Sequence, residues 1–82
     1  MLVKTNQAKE QIMDLNSAVP GVVYTIKDII TDDDELDAFL FSLGCYSGEP
    51  ITVIQHLKAG PVITIKDARY TIDKQLAAAI TV

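Results

Sequence analysis

Five carboxylates crowd residues 32 to 37: Asp32, Asp33, Asp34, Glu35 and Asp37. Oxygen donors at that density suit a hard cation. A calcium loop, however, alternates its ligands around a glycine at the sixth position. Here four of the five carboxylates are contiguous, the spacing is wrong and no such glycine is present. The run fits a helix start better. Thr31 can cap the first amides, and Asp34 three residues on resembles a capping box. The acidic residues that follow then stand at the positive end of the helix dipole. Solvated charges at a helix N-terminus are the simpler reading; a cation site or a partner contact are the sharper alternatives.

Cys45 and His56 are the only soft ligands. A zinc or iron site takes three or four ligands, and two on separate elements do not make one. His56 alternates with Gln55 and Leu57 and reads as a surface strand residue. No nucleophile has both a base and an orienting acid within sight. Neither catalysis nor a bound cofactor or metal is expected.

Eighty-two residues make one domain with one core. A chain this short buries only about 60% of its unfolded surface, which leaves little room for a deep cleft. The hydrophobic content of 49% is too high for a disordered tail. The formal net charge of −4 argues against nucleic acid and against docking on an anionic bilayer. A single cysteine cannot form an internal disulfide, which fits a reducing cytoplasm. The opening MLVKTNQAKE lacks the apolar stretch of a signal peptide. No apolar run approaches the ~18 residues of a membrane span. A cytoplasmic chain is expected, linked to a membrane only through a partner.

These residues need elements to position them. Residues 1–12 are polar and read as a flexible extension; Met13 to Ala18 form an irregular lead-in. Pro20-Gly21 signals a turn. Val22 to Ile29, rich in β-branched and aromatic residues, is a first strand, with Val22, Tyr24 and Ile26 on one side. The helix after Thr31 carries Leu36, Phe39, Leu40 and Leu43 as an apolar stripe, and Gly44 ends it in the left-handed conformation. Gly48 follows in a Ser-Gly turn. Ile51 to Leu57 is a second strand, Lys58 to Pro61 a hairpin connection containing Gly60, and Val62 to Lys66 a third strand. Asp67-Ala68 is a tight turn before a fourth strand, Arg69 to Ile72. Asp73 caps one helical turn, Lys74 to Ala78, and Ile80 to Val82 closes the sheet. The expectation is a mainly β chain: a small five-stranded, partly open barrel with one α-helix between its first two strands.

The order of these features resembles the ferrous iron transport protein A (FeoA) family, a small SH3-like barrel, over residues 13–82. The carriers are Leu15, Pro20-Gly21 and the strand Val22 to Ile26, the helix end Leu43-Gly44, Gly60-Pro61 before the third strand, and the close Ile72, Ala77, Ile80 and Val82. Ser47-Gly48 stands where the family usually has Pro-Gly. Cys45 stands where the family usually has an apolar residue, which implies a buried small hydrophobe.

The resemblance implies an accessory or adaptor protein of ferrous iron uptake. Its implied partner is the cytosolic region of a FeoB-like membrane transporter, with a possible effect on that partner's nucleotide-binding domain. The alternative is a metal-responsive regulatory module, because the same barrel is appended to iron-dependent repressors. Arg69, the only arginine, reads as a turn residue with little claim to act as an arginine finger in trans. Oligomeric state is left open. An adaptor without a pocket works through its surface, where aromatic anchors dominate. Phe41 lies opposite the helix stripe: it is covered by residues 1–12, part of a partner surface, or simply exposed. Tyr70, Ile80 and Val82 join it as partner candidates, on the premise that the closing strand is unpaired and free to add to a partner's sheet.

Overall fold

The computed structural model describes residues 13–82; the expectation of an extension over 1–12 lies outside them. The strands are β1 (Val23–Thr25), β2 (Asp28–Ile29), β3 (Pro50–His56), β4 (Pro61–Ile65), β5 (Ala68–Thr71) and β6 (Ile80–Thr81). The helices are α1 (Asp34–Leu43) and α2 (Lys74–Ala78). An antiparallel sheet runs β1-β3-β4-β5, and β2 pairs with β6 beside it. The chain is thus mainly β: a small, partly open SH3-like barrel with its main helix between the first two expected strands.

The first expected strand is one run in the sequence and two in space. Val23 faces Thr52 of β3, while Asp28 faces Thr81 of β6. Between them Ile26 donates its amide to Glu49 and Lys27 donates to Thr81. Burying the Ile26 side chain drives the chain round this corner, from one sheet into the other. The expected inward face survives at Ile26 and, half-buried, at Tyr24, whereas Val22 is exposed.

Leu15, assigned to an irregular lead-in, belongs to the core. Asp14 accepts the Asn16 amide and starts a single 3-10 turn, Leu15–Ser17, which presents Leu15 inward. With Leu15 sit Ile26, Leu40, Ile51, Val53, Ile63, Ile65 and Ile80, all fully buried. Ile51, Val53, Ile63, Ile65 and Ile80 are inward positions of strands, as a half-buried sheet requires; Leu40 comes from α1 and Ile26 from the corner between β1 and β2. The alternation of β3 slips between Val53 and Gln55. Past that bulge Gln55, His56 and Leu57 are all exposed.

Helix α1 is capped by Asp33, which accepts the amides of Glu35 and Leu36. Thr31 lies two residues too early for that role. Its hydroxyl donates to the Asp37 carboxylate and accepts the Asp33 amide, so it braces the cap from outside. Of the expected stripe, Leu40 is fully buried and Leu36 and Leu43 partly so. Phe39 is 47% exposed. The helix rests on the barrel along a narrow line through Leu40, and a residue 100° round from it meets solvent.

The hairpin joining β4 to β5 turns at Lys66-Asp67, one residue before the expected Asp67-Ala68. Both residues take positive φ, 48° and 65°. That is the left-handed pair a two-residue hairpin needs to follow the twist of its strands. Asp73 caps α2 through the Leu76 amide, the arrangement read from the sequence.

Candidate functional site

Exposed apolar side chains are spread over several elements, including Val19, Val22, Val23, Ile54 and Leu57, and α1 contributes the two aromatic ones, Phe39 and Phe41. Phe41 is 64% exposed. Its ring centroid lies 5.0 Å from that of Tyr46, tilted by 36°, within the range of favourable aromatic pairs. Lys66 Nζ stands 5.1 Å from the Tyr46 centroid and 2.8 Å from Glu49 Oε1. The hydrogen bond to Glu49, then that to Tyr46, holds the Lys66 ammonium above the usual lysine range. Phe41 therefore borders a fixed patch of one phenol and one ion pair.

The helix start builds a second feature. Ile30 leaves β2 with its amide on the Ala79 carbonyl and its side chain 63% exposed. Together with Leu36 of α1 and Leu76 of α2 it lines an open groove of about 480 Å³. Asp32 and Asp33 stand on its lip.

The other candidates fall as follows. Ile80 and Val82 are buried, and β6 is not a free edge. Its Thr81 faces Asp28 on one side and Asp14 on the other, and Val82 donates its amide to Met13. The premise that the closing strand is unpaired is corrected: residues of the lead-in pair with the side that would have been open. Tyr70 is half-buried on β5, facing Ile63 across the pair. Arg69 lies in β5 opposite Thr64, in a strand rather than a turn.

Gly21, Gly44, Gly48 and Gly60 all take positive φ. The strictest is Gly60, where a Cβ would come 1.9 Å from the Ile72 carbonyl oxygen. Cys45 is buried, and burial pushes its thiol up to about 11. His56 Nε2 lies 2.8 Å from the Ala18 carbonyl. A carbonyl only accepts, so that nitrogen carries the proton. The carboxylates of 32 to 35 are exposed, and Asp37 is turned back onto Thr31. Among the described residues no group of His, Cys, Asp or Glu is arranged to hold a metal ion, and no helix is long and apolar enough to cross a membrane.

The groove of Ile30, Leu36 and Leu76 was missed in the sequence. The first expected strand ends at Ile29, and Leu36 belongs to the expected apolar stripe of the helix, so neither points to a groove. The available signal was Ile29-Ile30 itself: on a strand only one of two adjacent residues faces inward.

Comparison with known proteins matches residues 13–82 to the FeoA domain. No curated protein matches. Among solved structures, the iron uptake regulatory protein FeoA superposes with a TM-score of 0.76 at 24% identity, over 87% of this chain and 95% of its own. The zinc complex of Stenotrophomonas maltophilia FeoA, described as a prokaryotic SH3 domain protein, gives 0.71 at 15% identity, over 83% of this chain and 86% of its own. A manganese-dependent transcriptional repressor gives 0.76 at 19% identity, over 87% of this chain but only 40% of the repressor. These three establish the shared fold, and the domain match over residues 13–82 establishes the kinship: the chain belongs to the FeoA family.

Proposed function

We propose that this chain is a cytosolic accessory protein of ferrous iron uptake. It acts by contact with the cytosolic region of a FeoB-type membrane transporter and modulates the transporter's nucleotide-binding domain. The observation that carries the reading is the FeoA domain match across residues 13–82. The S. maltophilia relative, described as possibly a ferrous iron transport activating factor, points the same way. The surface supports an adaptor: the more exposed of its two uncovered phenylalanines, Phe41, sits beside the Tyr46–Lys66–Glu49 patch. The test is capture of the transporter's purified cytosolic region by this chain, with and without guanine nucleotide, alongside its hydrolysis rate. Binding that depends on nucleotide state, or a changed rate, is expected. No binding in either state and an unchanged rate would sink the reading.

The superposition on the manganese-dependent repressor favours a second reading, a metal-responsive regulatory module. It predicts stoichiometric binding of manganese or ferrous ion in calorimetry. The described residues offer no ligand group for such an ion, which is why it stands second.

A further inference from the structure

We propose that the groove between the start of α1 and α2 is a docking site for a basic amphipathic helix of a partner protein. Its lining joins the large aliphatic side chains of Ile30, Leu36 and Leu76, with Ala78 and Ala79, to two carboxylates, Asp32 and Asp33, with no lysine or arginine among them. Asp34 and Glu35, both exposed, continue the negative lip along α1. An occupant must therefore bring apolar side chains to the floor and positive charge to the rim, since like charges across an interface cost affinity and opposite charges steer docking. A second copy of this chain is disfavoured on the same ground. A two-fold contact through this groove would set one acidic lip against another, on a chain of net charge −4.

The walls decide between helix and strand. They are two helices and the end of β2, where the Ile30 amide is already bonded to Ala79. No open ladder is offered, so an added strand gains no main-chain hydrogen bonds. Recognition falls to side chains, the mode in which an amphipathic helix lays its apolar face into a groove. The volume of about 480 Å³ accommodates a few anchor side chains. The groove is separate from the Phe41–Tyr46 patch, whose lining residues it does not share. The proposal stands whether or not the transporter is the partner.

The test uses the full chain, labelled for amide NMR, titrated with a synthetic helix of leucine and lysine whose leucines occupy one face. A mirror peptide of leucine and glutamate is the control. Shifts are expected to concentrate at Ile30 to Leu36 and Leu76 to Ala79, for the lysine peptide only, and to weaken with salt. Ile30→Asp and Asp32→Lys alter exposed side chains, and each should weaken binding about tenfold while the spectrum keeps its dispersion. Failure of the lysine peptide to bind overturns the proposal, as do shifts on another face or equal binding of both peptides. Wild-type affinity in a folded Ile30→Asp variant does the same. Groove resonances that move with protein concentration alone would assign the site to a second copy, and the proposal falls.

Discussion

Gly44 forms the floor beneath Lys66: a Cβ built on Gly44 would stand 3.0 Å from Lys66 Cγ, and Gly44 itself takes φ 99°. The residue that ends α1 thus does two things. Its left-handed backbone lets the Cys45 amide return to the Leu40 carbonyl. Its missing side chain lets the lysine stem lie flat, so that the ammonium reaches Glu49 and Tyr46.

Two costs can therefore be separated at Gly44. Gly44→Ala should lose about 1–2 kcal/mol to left-handed strain alone, read as a lowered urea midpoint. The contact with Lys66 adds to this only while the lysine is present. In a Lys66→Ala background the strain should persist and the added part vanish. A substitution that costs nothing in that background would show that the backbone at residue 44 is not strained.

Gly60 should be far less forgiving. Its Cβ would overlap the Ile72 carbonyl oxygen at 1.9 Å and crowd Asp73 Cα at 2.8 Å, both main-chain atoms that cannot swing aside. The Ile72 amide meets the Pro61 carbonyl at the same place. Gly60→Ala should cost about 3 kcal/mol or more, visible as collapsed amide dispersion or a lost cooperative melt. Gly21→Ala is the internal comparison: φ is 87°, yet nothing lies within 4 Å of its Cβ. It should pay only the backbone term of about 1–2 kcal/mol. Equal effects at the two glycines would show that crowding at residue 60 is relieved by movement.

What the sequence discloses and what it hides separate along a physical line. Local rules are legible. The end of α1 at Gly44, the cap of α2 by Asp73 and the alternation Ile51–Val53 each depend on neighbours a few residues away. Features set by distant partners are hidden. Leu15 is core only because its turn packs against α2 while Asp14 pairs beside β6, and the first strand divides at Ile26 only because Glu49 and Thr81 claim successive amides. Thr31 and Asp33 both suit an N-cap chemically; the geometry of entry chose Asp33. Phe41 was identifiable by helix phase, whereas Ile80 and Val82 looked like an open edge until Met13 and Asp14 were placed against them.

Cys45 gives a pH signature. Burial raises its thiol from 9.0 to about 11, so the folded chain resists forming the thiolate. The stabilising difference is complete below the unfolded thiol's pKa and is lost as pH rises from about 9 through 11. At about 1.4 kcal/mol per unit, roughly 2–3 kcal/mol of stability should disappear across that window. Urea midpoints at pH 8 and pH 11 check this, with Cys45→Ala as the control in which the thiol's share is absent. Native protein at pH 8 should also react with a disulfide reagent far more slowly than unfolded protein. Fast native labelling would show that the thiol is not held out of water.

Phe41→Asp and Val82→Asp should differ in kind. Phe41 is mostly exposed and touches Tyr46 at the helix rim. Its loss should cost about 1 kcal/mol or less and leave the melt cooperative. Val82 is buried against the core and its amide is bonded to Met13. A carboxylate there has no partner within the apolar cluster and should cost several kcal/mol, about 3 or more. If the Phe41 patch contacts the transporter, Phe41→Asp will fold normally and bind its cytosolic region at least about tenfold more weakly. Normal folding with normal binding moves the contact off this patch and leaves the groove at Ile30 as the next surface to test. Unfolding of Phe41→Asp would mean that the ring is covered, contrary to its exposure here. Paired thermal melts and binding isotherms on the same preparations separate these outcomes, because Val82→Asp fixes what a loss of folding alone does to the binding signal.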